Sequence, residues 1–197
     1  MDPIEAFGRV AEGVGSPFLT DGWRWANTRC HLVAHRARAA DAPDRVMARV
    51  SALLKAPLGE REYSVALLRA FGEAHMPAPQ PCAACDGSGW QKRTCHHCDH
   101  VHNCPCDCDG GMQRPFGDGS VIGVGGVPFR AAAFLSVVRW LEGLGVSTVR
   151  VTRVAAVTAG YDGPALVLGT DAYRCAVSAV SQEAVSLLVP CAEEFAP

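Results

Sequence analysis

Between Cys82 and Gly111 the chain reads CAACDGSGWQKRTCHHCDHVHNCPCDCDGG, a stretch with seven of its ten cysteines and four of its seven histidines. Cys82 and Cys85 form a C-x-x-C pair followed by Asp86, Gly87, Ser88 and Gly89, and Cys95 and Cys98 form a second pair. Cys104, Cys106 and Cys108 add three thiols just ahead of Gly110 and Gly111. A C-x-x-C turn sets both sulfurs on one side of the backbone, and the glycines after it free amides to bond thiolate. Two such pairs brought together make the closed, tetrahedral shell of structural zinc. Two other readings compete: one zinc with spare thiols, and thiols that are unligated or oxidised.

The same stretch is rich in Gly and Asp, with little apolar beyond Trp90 and Val101, so burial alone does not fold it. Metal coordination, worth on the order of 10 kcal/mol per structural site, replaces the missing core. A catalytic zinc keeps an open position and usually a nearby Glu or His as base. The segment contains no Glu, and several thiolates would lessen the Lewis acidity of the ion they hold. The expected role is structural, with no catalytic residues assigned.

The rest of the chain must position this segment. At 197 residues, 49% hydrophobic and 19% charged, it is long enough for one sizeable domain, or one domain with a small module. A net charge of −2 excludes a basic nucleic-acid footprint over the whole chain, although Arg24, Arg29, Arg36, Arg38, Arg45 and Arg49 crowd one part of it. The opening MDPIEAFGRV has no apolar signal core, and the most apolar helix candidate, AAAFLSVVRWL, is short and carries Arg139. A cytoplasmic protein without a membrane span is expected. In that compartment clustered thiols point to metal before disulfides. Cys30, Cys175 and Cys191 stand singly and are read as inert buried thiols.

Turn signals at Asp21-Gly22 and Asn27-Thr28 divide SPFLTDGWRWANTRCHLVAHRA into two or three strands, after a short helix carrying Ile4, Phe7 and Val10. Asp44 is a candidate cap for a helix with Val46, Met47, Val50, Leu53 and Leu54 on one face, and REYSVALLRAFGEAH reads as a second helix. Three prolines in MPAPQP mark a linker. Beyond the cysteines, SVIGVGG is a strand and Pro128 starts a helix that ends at Gly143 and Gly145. VSTVRVTRV with AAVTAG, then ALVLGT, then YRCAVSAV complete a β-α-β-β-β order. The expected architecture is α+β: residues 1–77 and 120–197 as two halves of one domain, with 78–119 a projecting zinc-binding insertion and its linkers.

Two resemblances follow from these residues. The pattern CAACDGSG … CHHC … CDCDGG resembles the cysteine-rich zinc-finger domain of DnaJ-type chaperones, built from C-x-x-C-x-G-x-G repeats, over about thirty residues. It departs from that family in lacking glycines after the second pair, in the spacing of its closing cysteines and in having no His-Pro-Asp J-domain turn. In the family the first pair shares a zinc with the fourth and the second with the third. That pairing implies two structural zinc ions. Cys82 and Cys85 would share one with Cys108 and either Cys106 or Cys104, and Cys95 and Cys98 would keep the leftover thiol. The eighth ligand falls to a histidine, His102 in preference to His100, with His96 and His97 facing solvent. TDGWRWA, Thr20 to Ala26, is similar to the T-D-G-x-R-x-A hairpin of bacterial DNA sliding clamps, and the β-α-β-β-β unit is similar to a clamp repeat. The combination is similar to uncharacterised phage proteins that carry a zinc segment on such a frame.

The resemblance implies a single clamp-like domain with a zinc-ribbon insertion. A DNA-encircling ring of that family needs six domains, so one copy implies a hexamer or no ring. The expected function is a non-enzymatic binding or scaffold protein, acting around DNA replication or on a host protein. The alternative is a DnaJ-like peptide-binding or thiol-handling factor. A protein partner is expected; DNA binding and homo-oligomer formation stay open. No enzyme signature stands against this: GVGGVPF lacks a phosphate-loop lysine, no G-x-S-x-G occurs, and His31 and His35 share a strand face without acidic partners.

Overall fold

The computed structural model describes residues 1–28, 30–37, 42–45, 47–76, 78–113, 120–124, 126–155, 163–180 and 189–190. The chain divides into two compact units, one of Met1–Met76 with Gly119–Pro197 and one of Pro77–Asp118. In chain order the elements are α1 (Pro3–Phe7), β1 (Phe18–Thr20), β2 (Trp23–Asn27), β3 (His31–Arg36), α2 (Ala48–Lys55), β4 (Glu62–Ser64) and α3 (Val65–Ala74). The smaller unit follows with β5 (Gln80–Pro81), β6 (Trp90–Thr94), β7 (Val101–Pro105) and β8 (Met112–Gln113). The larger unit resumes with β9 (Ser120–Val124), β10 (Val127–Arg130), α4 (Ala131–Gly143), β11 (Thr148–Val154), β12 (Ala165–Gly169), β13 (Tyr173–Ser178) and β14 (Val189–Pro190).

In the larger unit one seven-stranded sheet runs β1-β2-β3-β13-β12-β11-β4, antiparallel at every pairing. It draws strands from both sides of the cysteine segment, with Val33 of β3 opposite Cys175 of β13. The fold is therefore mixed α/β around a large antiparallel sheet. Alternation along the strands gives the sheet two apolar faces. One carries Val33, Val149, Leu166, Leu168 and Val177 and is covered by α1, α3 and α4 through Phe7, Leu68, Phe134, Val137 and Trp140. The other carries Trp23, Trp25, Leu32, Ala34, Val167 and Ala176 and is covered by α2 through Val50, Leu53 and Leu54.

Local chemistry sets the helix ends. Asp2 caps α1, its Oδ1 accepting from the amides of Ile4 and Glu5, while Pro3 fills the first helical position. At the end of α4, Gly145 has φ +77°, and the Gly145 and Val146 amides donate to Glu142 and Leu141. Gly72 of α3 lets α4 approach closely, since an added Cβ would lie 2.7 Å from Leu135 Cδ2.

Two local expectations shift. Pro128 lies in β10, not at a helix start: Val127–Arg130 pair with β9 across the turn at Gly126, and α4 begins at Ala131. Proline is tolerated there because β10 is the edge of the small β10-β9-β14 sheet. Asp44 does not cap α2, which begins at Ala48. Its segment lies along β1 instead, Leu19 donating to Pro43 and Arg45 donating back to Leu19, which covers the edge of the large sheet. Val46 and Cys191 lie outside the described residues. Among the described residues no helix is long and apolar enough to cross a membrane.

Candidate metal centres

The smaller unit is one hairpin, β6–β7, set in sequence between the paired strands β5 and β8 and strung with knuckles. At the first knuckle the amides of Cys85 and Gly87 donate to Cys82 O, and the Gly89 amide donates to Cys85 Sγ at 3.3 Å. Asp86 and Gly87 have φ of 49° and 76°. The second knuckle repeats the turn without the glycines: Asp99 donates to Cys95 O, and its φ is 55°. Asp tolerates this left-handed conformation better than most side chains, which explains why Asp follows the second cysteine of both pairs.

Between the knuckles, β6 and β7 pair in a register that sets Gln91 opposite Cys104 and Arg93 opposite His102. The ladder extends beyond β7, where the Cys106 amide donates to Gly89 O at 2.8 Å. That bond holds Cys106 beside the first knuckle. The closing turn returns there too: Cys82 N donates to Gly111 O at 2.7 Å, and Gly111 has φ +92°.

Two groups of ligating atoms result. Cys82, Cys85, Cys106 and Cys108 bring four sulfurs within 4.8 Å of one another, and Cys95, Cys98 and His102 bring three ligand atoms equally close. Within the first, Cys82 and Cys106 are 3.8 Å apart and Cys85 and Cys108 3.6 Å. Either group could hold a metal ion. Of the two candidates for the first group, the fold brings Cys106 and leaves Cys104 aside. Of the two candidate histidines it brings His102, whereas His100 Nδ1 lies 3.1 Å from Cys98 O. Cys104 joins neither group; its Sγ donates to Gln91 O at 3.4 Å.

The groups differ in exposure and in proton affinity. Cys82 and Cys85 are buried and Cys106 and Cys108 half-buried, whereas Cys98 and His102 are exposed and Cys95 half-buried. Burial opposes ionisation of Cys85, but the Gly89 amide and the thiols around it bring its pKa down to about 7. Burial and the thiols of Cys106 and Cys85 push Cys108 up to about 12. Cys85 and Cys108 are thus driven in opposite directions by the same neighbours. At the second knuckle the amides of His97 and Cys98 lower the Cys95 pKa.

No family model matches this chain, and no curated protein matches it. It resembles solved sliding clamps weakly. A putative DNA polymerase III beta subunit from Eubacterium rectale is 9% identical over 81% of this chain and 41% of that one, with a TM-score of 0.31. The DNA polymerase sliding clamp from Pseudomonas aeruginosa is 13% identical over 82% and 42%, with a TM-score of 0.29. This chain thus spans about two-fifths of the length of either.

The remaining sequence candidates sit in or next to the large sheet. Cys175 is fully buried, and burial holds its thiol far above the usual range while Sγ donates to Leu168 O. Cys30 is half-buried. His31 and His35 both lie on β3, four residues apart. His31 Nδ1 is 2.7 Å from Thr28 Oγ1, its ring stands edge-on to Phe7, and burial lowers its pKa.

Proposed function

We propose that this protein is a non-enzymatic binding or scaffold protein whose 78–119 segment is an insertion folded by two structural zinc ions. The observation that carries this reading is the first group of four sulfurs. Pairs at 3.6 and 3.8 Å match the edge of a tetrahedron around zinc, which is about 3.8 Å when zinc–sulfur bonds are about 2.3 Å. Four protein ligands leave no position for a water nucleophile, and four thiolates quench Lewis acidity, so this ion organises the chain and does no chemistry. Cys82, Cys85, Cys106 and Cys108 hold it.

Cys95, Cys98 and His102 hold the second ion. Cys104 would complete that set by giving up its contact with Gln91 O, since it follows His102 by two residues on β7 and so shares its strand face. The opposite face of the hairpin carries Trp90 and Val101, 58% and 60% exposed, beside Lys92, and serves as the contact surface for a protein partner. Support for a protein partner over DNA laid along these two helices comes from α3 and α4 in the larger unit. Their exposed charges neutralise one another, with Arg69 on Glu73 and Glu142, and Arg139 on Glu73. A surface that tracks phosphates needs unpaired cations instead.

Metal analysis of protein purified under reducing conditions tests the proposal. Close to two zinc ions per chain are expected. Cys82→Ser with Cys85→Ser should remove one, and Cys104→Ser should weaken only the other. Cobalt substitution should show thiolate charge-transfer bands that diminish in each variant. A metal content near zero, or cobalt spectra unchanged by the first pair of substitutions, would overturn it.

A further inference from the structure

A second polar constellation lies in the larger unit and takes no part in the metal groups. Trp23 of β2 is 2% exposed, and two guanidinium groups cover it. Arg36, its cross-strand partner on β3, places Cζ 4.1 Å from the ring centroid, and Arg174 of β13 places Cζ at 5.9 Å. Arg174 stands opposite Ala34, two residues from Arg36, so all three side chains share the α2 face of the sheet. On the next strand Gly169 stands opposite both Arg174 and Arg150. It leaves room for the Arg174 stem, since a Cβ there would lie 3.1 Å from Arg174 Cδ.

The other charges on this end of the sheet are engaged or distant from the pair. Asp171 holds Arg150 at 2.7 Å, and Asp21 is held by Lys55 and Ser51. Glu62 lies opposite Arg150 on the far strand. Among the described residues neither Arg36 nor Arg174 has a carboxylate partner. Arg174 donates Nη1 to Ala56 O at 3.3 Å, and its Nε is buried without a partner. Burial first, and then the charge of Arg150, holds its pKa below the ordinary guanidinium value. One indole thus holds two like charges close together, one of them partly stripped of water; the charge of Asp171 offsets part of this, but Asp171 itself is ion-paired to Arg150. Such an arrangement costs free energy that an anion would relieve.

We propose that Arg36 and Arg174 form an oxyanion site for a phosphate group, carried by a small phosphate ligand or by a phosphodiester backbone. Two forked guanidiniums offer donors from two directions, which suits a tetrahedral oxyanion better than a planar carboxylate. Arg36 is exposed and admits the ligand, and Arg174 anchors it. Trp23 is buried, so its ring orients the arginines and does not stack on a base.

The test is calorimetric titration of the full-length protein with inorganic phosphate, with chloride adjusted to hold ionic strength constant. Binding is expected, and Arg36→Gln, an exposed change that leaves the fold intact by circular dichroism, should weaken it about tenfold, the loss of one charge-assisted hydrogen bond. Arg174→Lys keeps the charge but loses the fork and should weaken it comparably. Arg69→Gln, in the α3–α4 network, should change nothing. A second arm adds a single-stranded oligonucleotide: competition with phosphate assigns the site to a phosphodiester backbone, and its absence assigns it to small phosphate ligands. No binding at matched ionic strength, or equal binding by the Arg36→Gln protein, overturns the proposal and leaves the arginines as a cover for Trp23.

Discussion

In the sheet unit Trp25, Phe7, Phe129, Phe134 and Trp140 are almost wholly buried, whereas in the 77–118 unit the buried residues among those described are Cys82, Cys85 and Gly111. The first unit removes large apolar side chains from water on both faces of a sheet. The second has no such side chains to remove; its Trp90 and Val101 are exposed. A segment of about forty residues has too little interior for burial to offset chain entropy. Convergence of its sulfurs on one point is what distinguishes its folded state. Two solutions to the same entropic problem thus occupy one chain, and they should fail under different treatments.

The largest separation should come from chelation. On the proposed reading, removing metal under reducing conditions should cost the smaller unit on the order of 10 kcal/mol per site and the apolar core nothing. Amide exchange should show protection lost over residues 78–113, while the large sheet keeps its protection and its cooperative melt. Protection that survives chelation in β6 and β7 would mean the hairpin holds itself together without an ion.

The converse change is Trp140→Ala. Its ring packs edge-on to Phe7 and Tyr173, and its Nε1 donates to Pro3 O at 2.7 Å. Unfolding of the larger unit should become easier by about 3–5 kcal/mol, with metal content unchanged. Loss of metal in this variant would show that the two units are energetically coupled.

A smaller and more local effect is expected from Gly111→Ala. Gly111 has φ +92°, and an added Cβ would collide with the Gly87 carbonyl oxygen. Strain of about 1–3 kcal/mol should loosen the first metal group and spare the second, readable as one weakened metal in a competition titration. Smallest of all is Glu142→Gln. The Arg69–Glu142 pair is some two-fifths exposed at both ends, so its loss should cost under about 1 kcal/mol in a denaturant melt. A larger cost would show that the α3–α4 charges act as a network.

The spacing of residues made some of this legible. The C-x-x-C pairs announced two knuckles, and the Asp after each found its physical reason in a left-handed backbone at Asp86 and Asp99. Helical periodicity located α3 and α4, because an apolar stripe repeating every three or four residues reports the face a helix buries. Pro128 misled, because proline's fixed φ suits a helix start and an edge strand alike. The short strand β4 falls where REYSVALLRAFGEAH reads as the start of a helix: Glu62–Ser64 carry no alternation long enough to read, and pairing with Thr148–Arg150 of β11 makes them a strand, so α3 begins only at Val65. The covering of Trp23 by Arg36 and Arg174 was equally hidden, since the two arginines lie far apart in sequence.

Composition and local spacing by themselves determined that this chain would hold a thiol-rich segment poor in apolar residues between two stretches able to bury a core. Both are properties of near neighbours and need no distant contact. Only the tertiary structure decided between Cys106 and Cys104. The choice turns on a hairpin register in which the Cys106 amide meets Gly89 O while Cys104 faces Gln91. Tertiary structure likewise set β3 against β13, a pairing across more than a hundred residues. Register and long-range pairing minimise the free energy of the whole fold, so no window of the sequence contains them.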